Sequence, residues 1–209
     1  MEDIAALDTP SVQHVSVPLD TAMPDVAQPL WGLLDWSRCV VGGSQALHAY
    51  ERNQSLFAPQ WTPADVDVHC ALASDAEYME ELLRLLSATQ GTLVEPVNLV
   101  SNGRPPGTRT SMRDEVFDRA IRATATIRVP GVPVPVQLIR VQTTNLIETL
   151  DRISDMPACV SYTVRDQERV FHVPTRAIHA LRTGQIPWCP MTAERRAKYE
   201  KRGYVFLED

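Results

Sequence analysis

The chain has 209 residues, 44% of them apolar, and a formal net charge of −6 at pH 7. That length suits one domain, or one domain with a small helical extension, and the net charge does not indicate a general nucleic-acid binder. No apolar run approaches the roughly 20 residues that cross a bilayer. The acidic N-terminus lacks the basic and apolar regions of a signal peptide, so we expect no membrane partner.

The four cysteines are scattered and include no C-x-x-C pair: Cys39, Cys70, Cys159 and Cys189. This spacing fits free thiols in a reducing compartment better than a disulfide framework or a zinc site. We therefore expect a cytoplasmic protein in which Cys39, Cys70 and Cys159 are inert thiols buried in strands.

The first predicted unit in chain order is an irregular arm over residues 1–29. It contains four prolines and little periodicity, apart from one edge strand at 14–17. A strand at 38–41 and a helix at 44–52 follow, the helix because Ala46, Leu47 and Tyr50 share one face.

Residues 64–72 are predicted to form a second strand. Because strand side chains alternate between two faces, Asp65, Asp67 and His69 lie on the same side of it. His69 is then either a polar neighbour of the two aspartates or an additional metal ligand.

A capping box, Ser74 followed by Glu77, starts the second predicted helix, and Gly91 ends it. The buried face of this helix is predicted from apolar residues at helical spacing: Met79, Leu82, Leu83 and Leu86. Three elements are predicted next: a strand at 92–100, a Gly/Pro loop at 101–107 and a helical turn at 112–119.

Alternating apolar residues predict a hairpin of strands at 121–129 and 132–141, with Pro133 and Pro135 indicating an edge or an irregular start. The remaining predicted elements complete the chain: a helix at 143–152, a hairpin of strands at 159–164 and 169–173, a helix at 174–183 ended by Gly184, a helix at 192–202 and a strand at 204–207. The order of elements predicts an α+β fold with a mixed β-sheet flanked by helices.

A glycine doublet joins the first strand to the first helix in the sequence Gly42-Gly43-Ser44. Glycines allow a ligand to approach the backbone closely, and the Ser44 hydroxyl with the free amides of the following helix can hold phosphate oxygens. The alternative is a tight strand-to-helix turn in which Ser44 is only the N-cap.

Two aspartates one residue apart, Asp65 and Asp67, open the second strand. Carboxylates at this spacing on a strand point to the same side and can share Mg²⁺, which stabilises the attacking and leaving oxygens in nucleotidyl transfer. The alternative is a pair of solvated aspartates on an open sheet face, although aspartate is disfavoured in strands and the two charges repel.

Together and in this order, the two motifs resemble the nucleotidyltransferase superfamily that includes DNA polymerase β. The resemblance covers about residues 38–141 and implies a nucleotidyltransferase-like fold that binds Mg²⁺ or Mn²⁺ and a nucleoside triphosphate such as ATP. It implies that Gly42, Gly43 and Ser44 hold the phosphates, and that Asp65 and Asp67 are the catalytic metal ligands.

This resemblance implies three parts within one globular unit. They are the arm at 1–29, a nucleotidyltransferase-like core at 30–150 and a small C-terminal α/β extension at 151–209 packed on the core. The acceptor is open between a protein, an RNA or other nucleic acid and a small molecule, and so is the oligomeric state.

The chain departs from the family pattern on the later strand, where the third carboxylate is expected and Gln137 is found. An amide cannot take a proton from an attacking hydroxyl and is a poorer metal ligand than a carboxylate. Glu115, Asp118 or Glu148 would have to substitute for the third carboxylate.

The motifs leave three hypotheses for the function of the chain: a Mg²⁺-dependent nucleotidyltransferase, a catalytically inactive relative that binds nucleotides or proteins, and an α+β protein with coincidental motifs.

Basic residues cluster in two places that suit an anion site: a loop containing Arg104, Arg109 and Arg113, and the stretch at 195–202. The sequence at 192–204 also resembles the tail of nucleotidyltransferase-like proteins encoded by large DNA viruses and some microbial eukaryotes. The alternative for this stretch is a capped, solvated helix with Tyr199 packed inward.

Overall fold

One large sheet organises the chain in the computed structural model, which describes residues 11–19, 25–54, 59–99, 120–154, 156–187, 189 and 191–208. The described part is mixed α+β, with a mostly antiparallel sheet of nine strands and five flanking helices. The predicted α+β class with a mixed sheet is therefore confirmed.

The strands are β1 Val12–Pro18, β2 Cys39–Gly42, β3 Val66–Cys70, β4 Thr92–Leu93, β5 Asn98–Leu99, β6 Ile121–Arg128, β7 Val136–Val141, β8 Ser161–Arg165, β9 Glu168–Pro174, β10 Gln185–Ile186 and β11 Val205–Phe206. The helices are α1 Gly43–Gln54, α2 Asp75–Thr89, α3 Leu146–Ile153, α4 Thr175–Thr183 and α5 Ala193–Glu200, and a 3-10 turn covers Gln28–Leu30. Within the described residues, no helix has the length and apolar character that crossing a membrane requires.

The large sheet has the order β1-β9-β8-β2-β3-β7-β6-β4, and β5 also pairs with β6, while β10 and β11 form a separate parallel pair. Its one parallel contact, among the described strands, joins β3 to β7. Strands from the predicted arm, core and extension all belong to this sheet, because β1 pairs with β9 and β8 pairs with β2.

Apolar clusters cover both faces of the sheet. On one face α1, α2 and the segment around Leu30 pack on the inward side chains of the central strands, and on the other α3 packs on Val40 and Ile139. In β6 the predicted alternation is confirmed, but a register shift after Ile121 moves that side chain to the α3 face. A third cluster joins Leu47 of α1 to α4 and α5.

The predicted buried face of α2 is confirmed at Leu82 and, for partly buried side chains that pack on the core, at Met79 and Leu86, and it is wrong at Leu83. The structure buries Tyr78, Glu81, Leu82 and Leu85, while Leu83 is 62% exposed. Tyr78 donates its hydroxyl to the Leu138 carbonyl of β7 at 2.8 Å, which sets the rotation of the helix on the sheet. The predicted capping box is confirmed, since the Ser74 hydroxyl accepts from the Glu77 amide.

Several predicted strands are shorter or interrupted. The strand predicted at 92–100 forms only the two short strands β4 and β5, and the strand predicted at 64–72 begins at Val66, so that Asp65 precedes it. Pro133 and Pro135 precede β7, and β7 lies inside the sheet. Of the two predicted alternatives, an edge strand or an irregular start, the irregular start is therefore confirmed.

Cys159 is buried, as predicted, but lies in a turn before β8. The loop predicted at 101–107 and the turn predicted at 112–119 lie outside the described residues.

A buried ion pair ties the N-terminal segment to the sheet. Asp25 lies 3.1 Å from Arg169 of β9 and also accepts from the Ala27 amide, Gln45 and the Tyr162 hydroxyl. The Arg169 guanidinium lies over three aromatic rings, those of Trp31, Tyr162 and Phe171. Burial raises the pKa of Asp25 above its ordinary value, and Arg169 offsets part of that effect.

Candidate functional site

The glycine turn has no room for side chains. β2 ends at Gly42 and α1 begins at Gly43, whose φ of 63° is in the left-handed region that favours glycine. A Cβ on Gly43 would lie 2.5 Å from Oδ2 of Asp67, and a Cβ on Gly42 would lie 3.0 Å from Nδ1 of His69. The turn therefore lies directly against the carboxylate of Asp67.

Ser44 lies inside the first turn of α1 and is 7% exposed. Since the helix begins at Gly43, Ser44 is not its N-cap. The amides of this first turn have no intrahelical partner, and the helix dipole favours an anion at this end. The turn could thus hold a phosphate group beside Asp67.

The surroundings of the Asp67 side chain disfavour the negative charge of its carboxylate. Its pKa is raised to about 7, first by burial and then by the neighbouring charge of Asp65, while Lys198 lowers it. Within the described part of the chain, no hydrogen bond to the Asp67 side chain is formed. A carboxylate held in this way gains from a bound cation, because a cation removes the cost of burying its charge.

Gln137 lies beside Asp67. The parallel register of β3 and β7 makes these two residues partners, so their side chains share a face of the sheet. This is the position at which the family resemblance implies a third carboxylate. Among the residues that the structure describes, no group of three or more His, Cys, Asp or Glu side chains could hold a metal ion.

Of the three proposed substitutes for the third carboxylate, the structure describes Glu148, which is engaged elsewhere. Glu148 pairs with Arg152 at 2.5 Å on α3 and accepts from the Asn145 amide group, so it is held within its own helix. Glu115 and Asp118 lie outside the described residues, as do Arg104, Arg109 and Arg113. Asp65 is close enough for its charge to raise the pKa of Asp67, and the amide of Gln137 is the neighbour of Asp67 on β7.

His69 lies beneath the turn as a buried, uncharged ring. Burial lowers its pKa to about 4, and its Nδ1 has no hydrogen-bond partner within the described residues. It contacts Gly42 and faces the same side as Asp67, as predicted for a polar neighbour. The buried His69 ring therefore supports the glycine turn by packing against Gly42.

Two cations, one from α5 and one from the turn that follows it, complete the surroundings of the site. Lys198 of α5 is close enough to Asp67 to lower its pKa, and Arg202 interacts electrostatically with Asp65. The guanidinium of Arg202 lies 3.9 Å over the Trp61 ring and 5.5 Å over the Tyr199 ring. The sequence showed that the stretch at 195–202 is basic, but it did not show that this stretch lies near the two aspartates.

Packing against α1 brings this helix to the site. Tyr199 and Tyr204 belong to the same buried cluster as Leu47, and the Tyr204 hydroxyl donates to Glu51. Burial of Tyr199 confirms the inward packing predicted for it. A contact of this kind between α1 and α5 joins residues about 150 positions apart, and no local pattern indicates it.

The comparisons with known proteins leave the identity of the chain open, since no family model and no curated protein matches it.

Proposed function

We propose that this protein binds a nucleoside triphosphate with Mg²⁺ and transfers a nucleotidyl group to a hydroxyl acceptor. The observation that carries the proposal is the contact between Gly43 and the carboxylate of Asp67. This contact supports the proposal because a helix start can bind an anion and a buried carboxylate gains from a cation, and a triphosphate with its metal needs both.

Each part of the site has a role in this proposal. Gly42, Gly43 and Ser44 hold the phosphates, and Asp65 and Asp67 hold the metal. Mg²⁺ would supply charge stabilisation for the phosphate oxygens. In the transfer, the acceptor oxygen bonds to the α-phosphorus, the bond from that phosphorus to the β-phosphate oxygen breaks, pyrophosphate leaves and the hydroxyl proton passes to solvent.

A second candidate function is nucleotide binding without transfer. Gln137 favours it, because the amide beside Asp67 cannot take a proton from the acceptor hydroxyl. Binding needs only the turn and two carboxylates, whereas transfer also needs the acceptor to be activated.

Nucleotide binding is tested by thermodynamic linkage. We expect Mg²⁺ with a nucleoside triphosphate at 100 times its dissociation constant to raise the free energy of unfolding by about 2.7 kcal/mol, measured by urea denaturation. The double variant Asp65→Ala with Asp67→Ala should lose this increase. Glu80→Ala with Glu95→Ala, which removes two exposed carboxylates, is the control and should retain it. Equal stabilisation in both variants, or none in the native chain, would refute the site.

Transfer is tested at Gln137. We expect Gln137→Asp to increase pyrophosphate release from a nucleoside triphosphate by at least tenfold, because a carboxylate then lies beside Asp67 to accept the hydroxyl proton. The assay supplies a peptide, an RNA oligonucleotide and glycerol as acceptors, with Gln142→Asp as a control of equal charge at an exposed position. Turnover by the native chain would eliminate the binding-only candidate, and turnover that survives the loss of both aspartates would eliminate the proposed site.

A further inference from the structure

An open cleft of about 750 Å³ runs along α5. The Trp61 ring forms part of its wall, and its charged lining consists of one carboxylate, Glu194, and four cations: Arg195, Lys198, Lys201 and Arg202. The chain as a whole carries a net charge of −6, so this concentration of positive charge is local. A cleft lined in this way attracts an anionic ligand.

The cleft adjoins the carboxylate site. Lys198 belongs both to its wall and to the charges that act on Asp67, and Arg202 acts on Asp65. A ligand in the cleft therefore contacts the same cations that act electrostatically on the two aspartates.

Part of this positive charge has no ion-pair partner among the residues that the structure describes. Lys198 and Lys201 form no ion pair within the described residues. Nη1 of Arg202 is buried and, in the same described part, has no hydrogen-bond partner, although the guanidinium is held by Trp61 and Tyr199. A buried donor without an acceptor is costly, and an anionic ligand would satisfy it.

The spacing of the cations indicates which anion fits. Arg195 and Lys198 lie three residues apart on α5, and Arg202 lies in the turn that follows the helix, where its amide donates to the Tyr199 carbonyl. All three line the cleft, and seven residues at helical rise extend over about 10 Å. The phosphates of a triphosphate are joined through single oxygen atoms and span less than this row. Phosphates separated by whole nucleotides match it better.

The wall gives little support to a protein ligand. Protein interfaces are anchored by buried apolar and aromatic side chains. Here the aromatic residue of the wall, Trp61, is covered by Arg202 on one side and contacted by His48 at 5.0 Å between ring centroids.

We propose that the α5 cleft binds the phosphodiester backbone of a single-stranded polynucleotide and presents its terminal hydroxyl to Asp65 and Asp67 as the acceptor. The role as acceptor rests on the proposed nucleotidyl transfer, whereas polynucleotide binding stands on the cleft itself. The reaction is the one written above, with a nucleotide hydroxyl as the attacking group.

Salt-dependent binding tests the cleft. Fluorescence anisotropy measures the affinity for a labelled single-stranded RNA of twelve nucleotides over a range of KCl concentrations. Four lining cations allow four phosphate contacts, which predict a slope of about −2.8 for log K against log[KCl], at about 0.7 per contact. Arg195→Ala with Lys201→Ala should weaken binding at least tenfold and reduce the slope by about 1.4. Lys198 is left in place because it also faces Asp67.

Controls separate this proposal from the proposed function. Arg128→Ala with Arg165→Ala removes two exposed arginines of other elements and should bind RNA like the native chain. Asp65→Ala with Asp67→Ala should retain RNA binding and lose nucleotide binding, so failure of the nucleotide site alone leaves the cleft standing. RNA binding unchanged by Arg195→Ala with Lys201→Ala, absent at low salt, or matched by polyglutamate of equal charge would overturn the cleft assignment.

Discussion

Replacing Asp67 by asparagine is expected to stabilise the ligand-free protein at pH 8 by about 2 to 4 kcal/mol. The folded-state pKa of Asp67 is raised from 3.8 to about 7, so ionisation of this group costs folding free energy. The cost is absent below pH 3.8, grows between pH 3.8 and about 7, and is complete above that. An asparagine side chain carries no charge at any of these pH values, so the stabilisation should be almost zero at pH 3.

Urea denaturation at pH 3, 5 and 8 measures this change in the free energy of unfolding. The control is Asp166→Asn in the exposed β8–β9 turn, which should change that free energy by no more than a few tenths of a kcal/mol. Addition of Mg²⁺ with a nucleoside triphosphate at pH 8 should reduce the difference in the free energy of unfolding between the variant and the native chain, because only the native chain gains a ligand. A variant that is less stable than the native chain at pH 8 would contradict the interpretation of Asp67 as a strained carboxylate. Functional sites often carry such a cost in stability.

Replacing Arg169 by methionine is expected to lower the free energy of unfolding by about 3 to 5 kcal/mol at pH 7. Arg169 and Asp25 are both buried and lie 3.1 Å apart, and removal of the cation leaves a buried carboxylate without its counter-charge. The loss of contacts with three aromatic rings adds to the effect. Urea denaturation at a single pH suffices for the measurement.

Two comparisons make this second prediction specific. Arg152→Met breaks an exposed pair with Glu148 and should cost less than about 1 kcal/mol. Adding Asp25→Asn to Arg169→Met should recover part of the loss, since the unpaired charge is then gone. A cost below about 1 kcal/mol for Arg169→Met would show that the pair does not hold the N-terminal segment on the sheet.

Local sequence patterns predicted much of the fold. The alternation in β6 is confirmed because each strand side chain faces either the core or the other side, and Gly184 ends α4 in the left-handed conformation with a φ of 71°. On α2 the apolar spacing identified three of the four core-facing residues it named but included the exposed Leu83, because it allows more than one rotation of the helix and a hydrogen bond from Tyr78 to a distant strand selects among them.

The sequence by itself determined the class of the fold, the glycine turn before α1 and the aspartate pair at the start of β3, because each depends on residues close together in the chain. Tertiary structure alone decided that Gly43 lies against Asp67 and that Gln137 is the neighbour of Asp67 across the parallel pair. It also decided that Lys198 of α5 acts on Asp67 and that Arg202, in the turn after α5, acts on Asp65. These contacts depend on strand register and on the packing of apolar clusters between distant segments, which residue spacing within a single element does not encode.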